Sequence, residues 1–319
     1  MDIYFYEAFA EEAEALRRFL SPKISCAYTA KTIQETGHRD PQARIVSTRT
    51  QSVVPPEWAG RIGGILSRST GYDHLKAFRA LVEIPVPCGY LEEYATRAVA
   101  EHAMMTLMAL LRRLPLQQDQ FLTFERDGLT GLECKGRRLL VVGVGRIGWE
   151  IVQIAQALGM EVRGVDLVRR HPHVVYVDRS EGMRWADAVV CAMNLTEKNR
   201  GYFTADLLRQ SKRGVVFVNI ARGEQSPLAA ILTLLEEGHL GGLGLDVFED
   251  EPDVAGALRD PSATFSPGAE LVKRILTYPN VLCTPHNAFN TVEAVDRKAA
   301  FTVTQINHFL KHGDFLWKI

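Results

Sequence analysis

The chain has 319 residues, of which 46% are hydrophobic and 24% are charged, and its formal net charge is −1. This balance gives no sign of a nucleic-acid or membrane partner, and the length predicts two domains rather than one. The five cysteines are scattered and the N-terminus lacks a basic leader, so the sequence predicts reduced thiols and a cytoplasmic location.

Short apolar strands alternate with helical segments in the first hundred residues. Strands are predicted at "DIYFY", "ISCAY", "ARIVS" and "GGILS", and an acidic amphipathic helix is predicted after the first of them. This alternation is typical of parallel βαβ units. Residues 95–113, "ATRAVAEHAMMTLMALLRR", predict a long helix that is apolar nearly all round and therefore buried, and residues 114–136 resemble a loop.

A second series of strands and helices follows. Its seven predicted strands lie in "RRLLVVGVGRIG", "MEVRGVDLV", "HVVYVD", "DAVVCAM", "GVVFVNI", "GGLGLDVF" and "NVLCTP". Residues 252–276 predict an irregular surface excursion, and the chain closes with an amphipathic helix. The predicted fold class is α/β, with two Rossmann-like doubly wound parallel sheets. A cofactor domain, 101–287, is inserted in a split substrate domain, 1–100 and 288–319.

The segment "VVGVGRIG" places Gly143, Gly145 and Gly148 between a strand and a helix. In this context the G-x-G-x-x-G spacing predicts a dinucleotide site, because glycines let the backbone and a helix N-terminus approach a pyrophosphate. Asp166 ends the next strand, where a carboxylate binds the adenosine ribose and repels a 2′-phosphate. The sequence thus predicts NAD rather than NADP; glycines that serve only packing are the alternative.

Polar side chains follow three later strands. Arg222 ends "VVFVNIAR", Glu251 follows "GLGLDVF", and His286 follows "NVLCTP". Reduction of a ketone by a nicotinamide requires a proton donor, for which a histidine held by a carboxylate is suited. A substrate carboxylate is best bound by arginine. No histidine or cysteine cluster has the spacing of metal ligands, so no metal is predicted.

The ordered set "RAVAEHAMMTLMALLRR", "VVGVGRIG", "VNIARGE", "LDVFEDEP" and "TPHNAF" resembles the D-isomer-specific 2-hydroxyacid dehydrogenases over nearly the whole chain. The D-lactate dehydrogenase branch is the most similar. The resemblance implies that Arg222 binds the substrate carboxylate and polarises the keto group. It also implies that His286 is the acid/base, that Glu251 pairs with it, and that Asp246 contacts the nicotinamide carboxamide.

The resemblance further implies a substrate site in a cleft between the domains and a homodimer formed through the central domain. Backbone N–H groups of Thr70 and Gly71 would hold the carboxylate, and Tyr94 and Phe289 would face a small side chain such as a methyl group. The predicted cofactor-binding residues are Gly143, Gly145, Arg146, Ile147, Gly148, Asp166, Asn194, Thr196, Ala221, Asp246 and Ala288.

The predicted function is NAD-dependent reduction of a small 2-oxo acid, with pyruvate preferred, to the D-2-hydroxy acid. One alternative is another substrate in the same family: a bulkier acid, the two-carbon glyoxylate, or a phosphorylated acid for which Arg49 and Arg68 would supply positive charge. The alternative from another class is a catalytically silent, corepressor-like NAD sensor.

Overall fold

The computed structural model describes residues 1–260, 262 and 266–319. Its strands are β1 (Ile3–Phe5), β2 (Cys26–Tyr28), β3 (Ile45–Thr48), β4 (Gly64–Ser67), β5 (Cys88–Gly89), β6 (Arg138–Val142), β7 (Glu161–Val165), β8 (Val175–Tyr176), β9 (Ala188–Cys191), β10 (Val215–Asn219), β11 (Leu240–Leu245) and β12 (Val281–Cys283). Its α-helices are α1 (Ala10–Phe19), α2 (Ile33–Thr36), α3 (Asp73–Leu81), α4 (Thr96–Leu111), α5 (Leu114–Gln120), α6 (Arg146–Ala157), α7 (Arg179–Trp185), α8 (Ala205–Arg209), α9 (Leu228–Glu236), α10 (Glu251–Arg259), α11 (Pro267–Ile275) and α12 (Val292–His312).

The chain divides into two compact units. The first unit combines Met1–Ala95 with Asn290–Ile319, and the second is the continuous segment Thr96–Phe289. Residue 100, the predicted end of the first segment, lies inside α4. The whole of α4 belongs to the second unit, where it packs on α6, β10 and β11.

The first unit is built on a five-stranded sheet in the order β2-β1-β3-β4-β5, with parallel pairing throughout. The four strands predicted for this region are confirmed. The two-residue strand β5 was not predicted, because a pair of residues shows no alternation. Helix α12 packs on α1, and its Ile306 and Phe309 join Phe5 and Leu16 in one apolar core.

The second unit is built on a seven-stranded parallel sheet in the order β12-β11-β10-β9-β6-β7-β8. All seven strands predicted from the sequence are confirmed. From β6 the chain moves outward through β7 and β8, and it then returns to β9 on the other side of β6. The strand order thus reverses at β6 and β9, and open α/β sheets bind ligands at such a crevice beyond the carboxyl ends of the strands.

Three local predictions were wrong. Helix α4 is not buried all round, because Met105 is 54% exposed while Met104 and Leu107 on the other face are buried. The predicted loop 114–136 contains the helix α5. Most of the predicted irregular excursion 252–276 is helical, in α10 and α11, although residues 261 and 263–265 of it lie outside the described residues.

Proline explains the last of these errors. The sequence analysis took this proline-containing segment as irregular, but proline is well tolerated in the first turn of a helix, where its missing N–H has no helical partner. Pro252 lies in the first turn of α10, and Pro267 begins α11. The Ser266 hydroxyl accepts a hydrogen bond from the Ala269 N–H and so caps α11.

Candidate active site of the second unit

The glycine loop joins β6 to α6 at the point where the strand order reverses. Gly143 has a φ of +94°, and a Cβ there would lie 2.7 Å from the carbonyl carbon of Ala192. A Cβ on Gly148 would lie 1.9 Å from the Gly143 carbonyl oxygen, so packing alone requires these two glycines. A Cβ on Gly145 would meet no atom within 4 Å. The N-terminus of α6 therefore opens onto space that fits a pyrophosphate group.

Asp166 lies just beyond β7, next to the glycine loop. Its Oδ2 accepts a hydrogen bond from the Val144 N–H at 2.7 Å, and its Oδ1 accepts one from the Val168 N–H at 3.0 Å. These bonds fix the carboxylate beside the loop, and each oxygen keeps a lone pair for a ribose hydroxyl. This arrangement fits the ribose-binding function predicted for Asp166.

The segment that follows β9 borders the other side of the glycine loop. The buried side chain of Gln225 donates hydrogen bonds to the carbonyl oxygens of Met193 and Asn194, at 3.3 and 3.2 Å. Asn199 also donates to the Asn194 carbonyl, at 2.8 Å, and its own side-chain oxygen accepts from the Thr196 N–H. Sequence reasoning missed Gln225, although it lies three residues after Arg222 and in the same turn.

Arg222 lies in a turn directly after β10, and two residues of the same motif shape that turn. The fully buried Asn219 side chain donates to the Arg222 carbonyl at 2.9 Å and to Ser226 Oγ at 2.7 Å, and it accepts from the Ala221 N–H. A Cβ on Gly223 would lie 1.8 Å from the Phe248 carbonyl carbon. The N-I-A-R-G pattern is therefore a rigid turn that presents the arginine.

His286 and Glu251 form the central contact of the site. Nδ1 of His286 lies 2.7 Å from Oε1 and 3.0 Å from Oε2 of Glu251. Because a carboxylate only accepts, Nδ1 carries the hydrogen, and Nε2 is the nitrogen that remains for a substrate. His286 has a φ of +50°, an uncommon backbone conformation for a residue other than glycine. Glu251 begins α10, whose N-terminus favours its negative charge.

Asp246, at the end of β11, organises the loop that carries His286. Its carboxylate is buried and accepts hydrogen bonds from the N–H groups of Asn287 and Ala288, at 2.7 and 2.9 Å, and from Thr284 Oγ1 at 2.6 Å. The Asp246 carbonyl accepts from the His286 N–H at 2.8 Å. The predicted contact of Asp246 with the nicotinamide stays a prediction; the structure shows a residue that holds the loop of His286.

The other residues predicted for the site lie in both units. Ala221, Ala288 and Phe289 are buried in the second unit, and Arg146 and Ile147 form the first turn of α6. Their predicted contacts with cofactor or substrate stay predictions.

Thr70, Gly71 and Tyr94 belong to the first unit. Ser69 Oγ donates to the Gly71 carbonyl at 2.7 Å, and the Ser69 carbonyl accepts from the Leu91 N–H at 3.1 Å. The loop that carries Thr70 and Gly71 is therefore held through Ser69. Its contact with a substrate, and that of Tyr94, stay predictions.

The buried thiols show no chemical activation. Burial raises the pKa of Cys191 to about 12 and that of Cys283 to about 12, so both remain protonated and unreactive near neutral pH. Within residues 1–260, 262 and 266–319, no group of three or more histidine, cysteine, aspartate or glutamate side chains is arranged to hold a metal ion. Over the same ranges, no helix is both long and apolar enough to cross a membrane.

Comparisons with known proteins agree with this geometry. The family model for the NAD-binding domain of D-isomer-specific 2-hydroxyacid dehydrogenases matches residues 104–288. The D-lactate dehydrogenase of Leuconostoc mesenteroides subsp. cremoris is 30% identical over 239 residues, which are 72% of this chain and 70% of that protein. The D-3-phosphoglycerate dehydrogenase of Bacillus subtilis (strain 168) is 33% identical over 223 residues, which are 68% of this chain but 39% of that longer protein.

A solved structure shows the same fold. The D-lactate dehydrogenase from Aquifex aeolicus, complexed with NAD and lactic acid, has a TM-score of 0.84 and covers 99% of both chains at 24% identity. The predicted class, two parallel-sheet α/β units of Rossmann type, is thereby confirmed. Residues 104–288 form an NAD-binding domain. The chain belongs to the D-isomer-specific 2-hydroxyacid dehydrogenases, a family of NAD-dependent oxidoreductases.

Proposed function

We propose that the protein reduces a small 2-oxo acid, with pyruvate as the preferred substrate, to the D-2-hydroxy acid at the expense of NADH. One observation carries this proposal. Arg222, Glu251 and His286 follow β10, β11 and β12, which are adjacent parallel strands, and the imidazole of His286 is already bonded to Glu251. An anion-binding group and an oriented acid/base therefore follow the carboxyl ends of adjacent strands.

The residues have distinct roles in the proposed reaction. The Arg222 guanidinium binds the substrate carboxylate, which places the keto carbon for attack. NADH, when bound along the glycine loop and Asp166, supplies the hydride. His286 donates the proton on Nε2 to the keto oxygen, and Glu251 keeps the ring oriented through Nδ1.

The preference for pyruvate is supported by the aromatic residues predicted to line the substrate site. Tyr94 and Phe289 would limit the space for the substrate side chain. A phosphorylated substrate is less well supported than the sequence suggested, because Arg68 is fully buried. Its guanidinium donates to Glu12, to Ser47 Oγ at 2.9 Å and to the Tyr6 carbonyl at 2.7 Å. A bulkier acid and glyoxylate remain the alternatives within the family.

A panel of 2-oxo acids assayed with NADH and NADPH tests this proposal. Pyruvate with NADH should give the highest kcat/KM, and the product should be the D-isomer. Arg222→Ala should abolish reduction and leave NADH binding intact, whereas Arg213→Ala, at an exposed arginine, should change neither. Near-normal reduction by Arg222→Ala would contradict the proposed role of this arginine.

The same assay separates the enzyme from a catalytically silent NAD sensor. The sensor would bind NADH and reduce none of the acids in the panel. The bonded pair of His286 and Glu251 favours the enzyme, since a protein that only senses NAD needs no oriented acid/base.

Self-association of the second unit is part of the proposal. Phe121, Leu122 and Phe124, which follow α5, are 66%, 90% and 70% exposed. Adjacent exposed apolar side chains are typical of an interface, and a second copy of the same chain is the commonest partner. Wild type should sediment as a homodimer and a Phe121→Ser/Phe124→Ser variant as a monomer; a monomeric wild type would contradict this part. The cytoplasmic location stays a prediction from the sequence.

A further inference from the structure

Three ionised side chains meet in the interior of the first unit. Glu12 of α1, Arg68 after β4 and Lys298 of α12 are all fully buried. Oε1 of Glu12 lies 2.8 Å from Arg68 Nε and 2.6 Å from Lys298 Nζ. Burial of charges costs desolvation free energy that their pairing offsets only in part, so a fully buried cluster of this kind requires a reason.

The cluster holds more positive charge than pairing requires. The charge of Arg68 alone would neutralise Glu12, yet Lys298 brings a second positive charge. The positive charge of Arg49 also lowers the pKa of Glu12. The nearby Glu7 carboxylate is engaged elsewhere, by the backbone N–H groups of Arg49, Gln51 and Ser52. Burial lowers the pKa of Lys298 to about 7, although Glu12 opposes this shift. The Lys298 amine therefore loses its proton near neutral pH.

The place of the cluster in the fold indicates what the extra charge does. In the sheet order β2-β1-β3-β4-β5 the chain first passes from β1 to β2 on one side and then returns to β3 on the other side of β1. The strand order therefore reverses between β1 and β3. Glu7, Arg49 and Arg68 follow the carboxyl ends of β1, β3 and β4. Open α/β sheets bind ligands beyond these ends, at the point of reversal. Excess positive charge at this edge favours an anion there.

The cluster also contacts both segments of the first unit that are expected to meet the substrate. Arg68 directly precedes the loop of Ser69, Thr70 and Gly71, and its own N–H donates to the Thr48 carbonyl at 2.8 Å. Lys298 Nζ lies 5.8 Å from the centre of the Tyr94 ring. Arg297, its neighbour on α12, donates to the Tyr94 carbonyl at 2.8 Å.

We propose that Lys298 is a positioning residue that sets the affinity of the first unit for the substrate carboxylate. Lys298 contacts Glu12, which binds Arg68, and Arg68 directly precedes the loop of Thr70 and Gly71. Lys298 also lies over the ring of Tyr94, the aromatic residue predicted to face the substrate side chain. Lys298 neither touches the substrate nor transfers a proton. The inference rests on the proposed function, in which these segments bind a 2-oxo acid.

The charge of Lys298 gives the inference a distinctive pH dependence. Loss of its proton leaves Glu12 paired with Arg68 and removes one positive charge from the cluster. The KM for pyruvate should therefore rise as the pH increases through the neutral range, while kcat should not follow the same curve. The charged or titratable groups around Lys298 are Glu12 of α1, Arg49 after β3, Arg68 after β4, Tyr94 before α4 and its helix neighbour Arg297.

Three variants test the inference by steady-state kinetics between pH 6 and about pH 9, which spans the titration of Lys298. Lys298→Met removes the charge but keeps the shape, and should raise KM about five- to tenfold at pH 6 with kcat within about twofold of wild type. Its KM should vary less with pH in the neutral range than the KM of wild type. Lys298→Arg keeps the charge at every pH and should hold KM low throughout. Lys311→Met, at an exposed position of α12, is the control and should match wild type.

The outcomes separate this inference from the proposed function. A folded Lys298→Met protein with the KM and pH profile of wild type overturns the inference alone. If Lys298→Met does not fold, Lys298→Arg decides: a KM that rises with pH as in wild type overturns the inference, and a KM that stays low supports it. A wild type that reduces no 2-oxo acid overturns both proposals.

Discussion

The two units each contain a glutamate bonded to a basic side chain, but the two contacts differ in their access to water. In the second unit the His286 and Glu251 side chains are 19% and 14% exposed. In the first unit the side chains of Glu12, Arg68 and Lys298 are all 0% exposed. The donor–acceptor distances are nearly equal: 2.7 Å for the pair of His286 and Glu251, and 2.6 to 2.8 Å for the contacts of Glu12. Distance alone therefore does not tell a reacting group from a positioning group.

The exposure of the side chains separates a reacting group from a positioning group, because a proton donor must reach its substrate. The imidazole of His286 uses Nδ1 for Glu251, and the proposed proton transfer would use Nε2. The Glu12 cluster is closed on every side, so its charges act on the site only through the segments that they hold and through their field. The five predictions that follow test this proposed division between a reacting pair and a positioning cluster.

The largest effect is expected at the reacting pair. His286→Ala removes the proton donor and should lower kcat for pyruvate reduction by about 10³-fold, within the range that general acids contribute. NADH affinity, measured by fluorescence titration, should not change. His173→Ala, at an exposed histidine, is the control. A His286→Ala enzyme that keeps a tenth of wild-type turnover would remove His286 from the role of acid/base.

The next largest effect is expected on stability, at the centre of the buried cluster. Glu12→Gln leaves Arg68 and Lys298 without a counter-charge and should lower the free energy of unfolding at pH 7 by about 3 kcal/mol. The control is Glu14→Gln, at an exposed position of the same helix. A loss no larger than that of the control would show that Glu12 does not stabilise the cluster.

The pH dependence of stability follows from the same residue. Burial by itself would raise the pKa of Glu12, but Arg68 and Lys298 outweigh burial and lower the pKa from 4.5 to about 2. The stabilisation from ionised Glu12 is therefore complete above pH 4.5 and is lost as the pH falls toward 2. Urea unfolding of wild type should show this loss, and Glu12→Gln should show a smaller decrease over the same interval.

The sequence predicted one of the two regions much better than the other. In the second unit each strand is a short apolar run, and the polar residue after it belongs to a recognisable motif. The sequence therefore placed Arg222, Glu251 and His286 after β10, β11 and β12, where the structure has them, and their catalytic roles stay predictions. The side chains that shape the site were missed. Asn219 and Gln225 act through hydrogen bonds to backbone carbonyls, which residue spacing does not reveal.

The buried cluster was not predictable for a different reason. Glu12 and Lys298 lie at opposite ends of the chain, on helices whose pattern assigns charged residues to the solvent side. Only the packing of α12 on α1 brings them together. Arg68 was noticed, but as positive charge for a phosphorylated substrate. The hydrogen bonds of Arg68 to Glu12 and to the Tyr6 carbonyl, which the sequence does not reveal, argue against that use.

A smaller catalytic effect is expected at Glu251. Glu251→Gln keeps a hydrogen-bond acceptor for Nδ1 but loses the negative charge that supports the imidazolium. It should lower kcat by about 10- to 100-fold, less than His286→Ala, because the proton donor remains. Asp253→Asn, at an exposed carboxylate in the same turn of α10, should have no effect. Equal losses for Glu251→Gln and His286→Ala would show that orientation and charge matter as much as the donor itself.

The smallest effect is expected one step farther from the imidazole, and it sharpens the comparison of the two regions. The Thr284 hydroxyl donates to Asp246 Oδ1 and lies 3.1 Å from His102 Nε2. Thr284→Val removes one of three hydrogen bonds to the Asp246 carboxylate, while the two backbone donors remain. The free energy of unfolding should fall by about 1 kcal/mol.

The kinetic consequence distinguishes support in the second unit from support in the first. Because Asp246 orients the loop that carries the acid/base, Thr284→Val should lower kcat by about two- to fivefold and leave KM unchanged. Lys298→Met should do the reverse. Thr277→Val, which removes an exposed hydroxyl bonded to a backbone carbonyl, is the matched control. If Thr284→Val instead raised KM, it would act on substrate binding as Lys298→Met is expected to do, and the kinetics would not distinguish support in the second unit from support in the first.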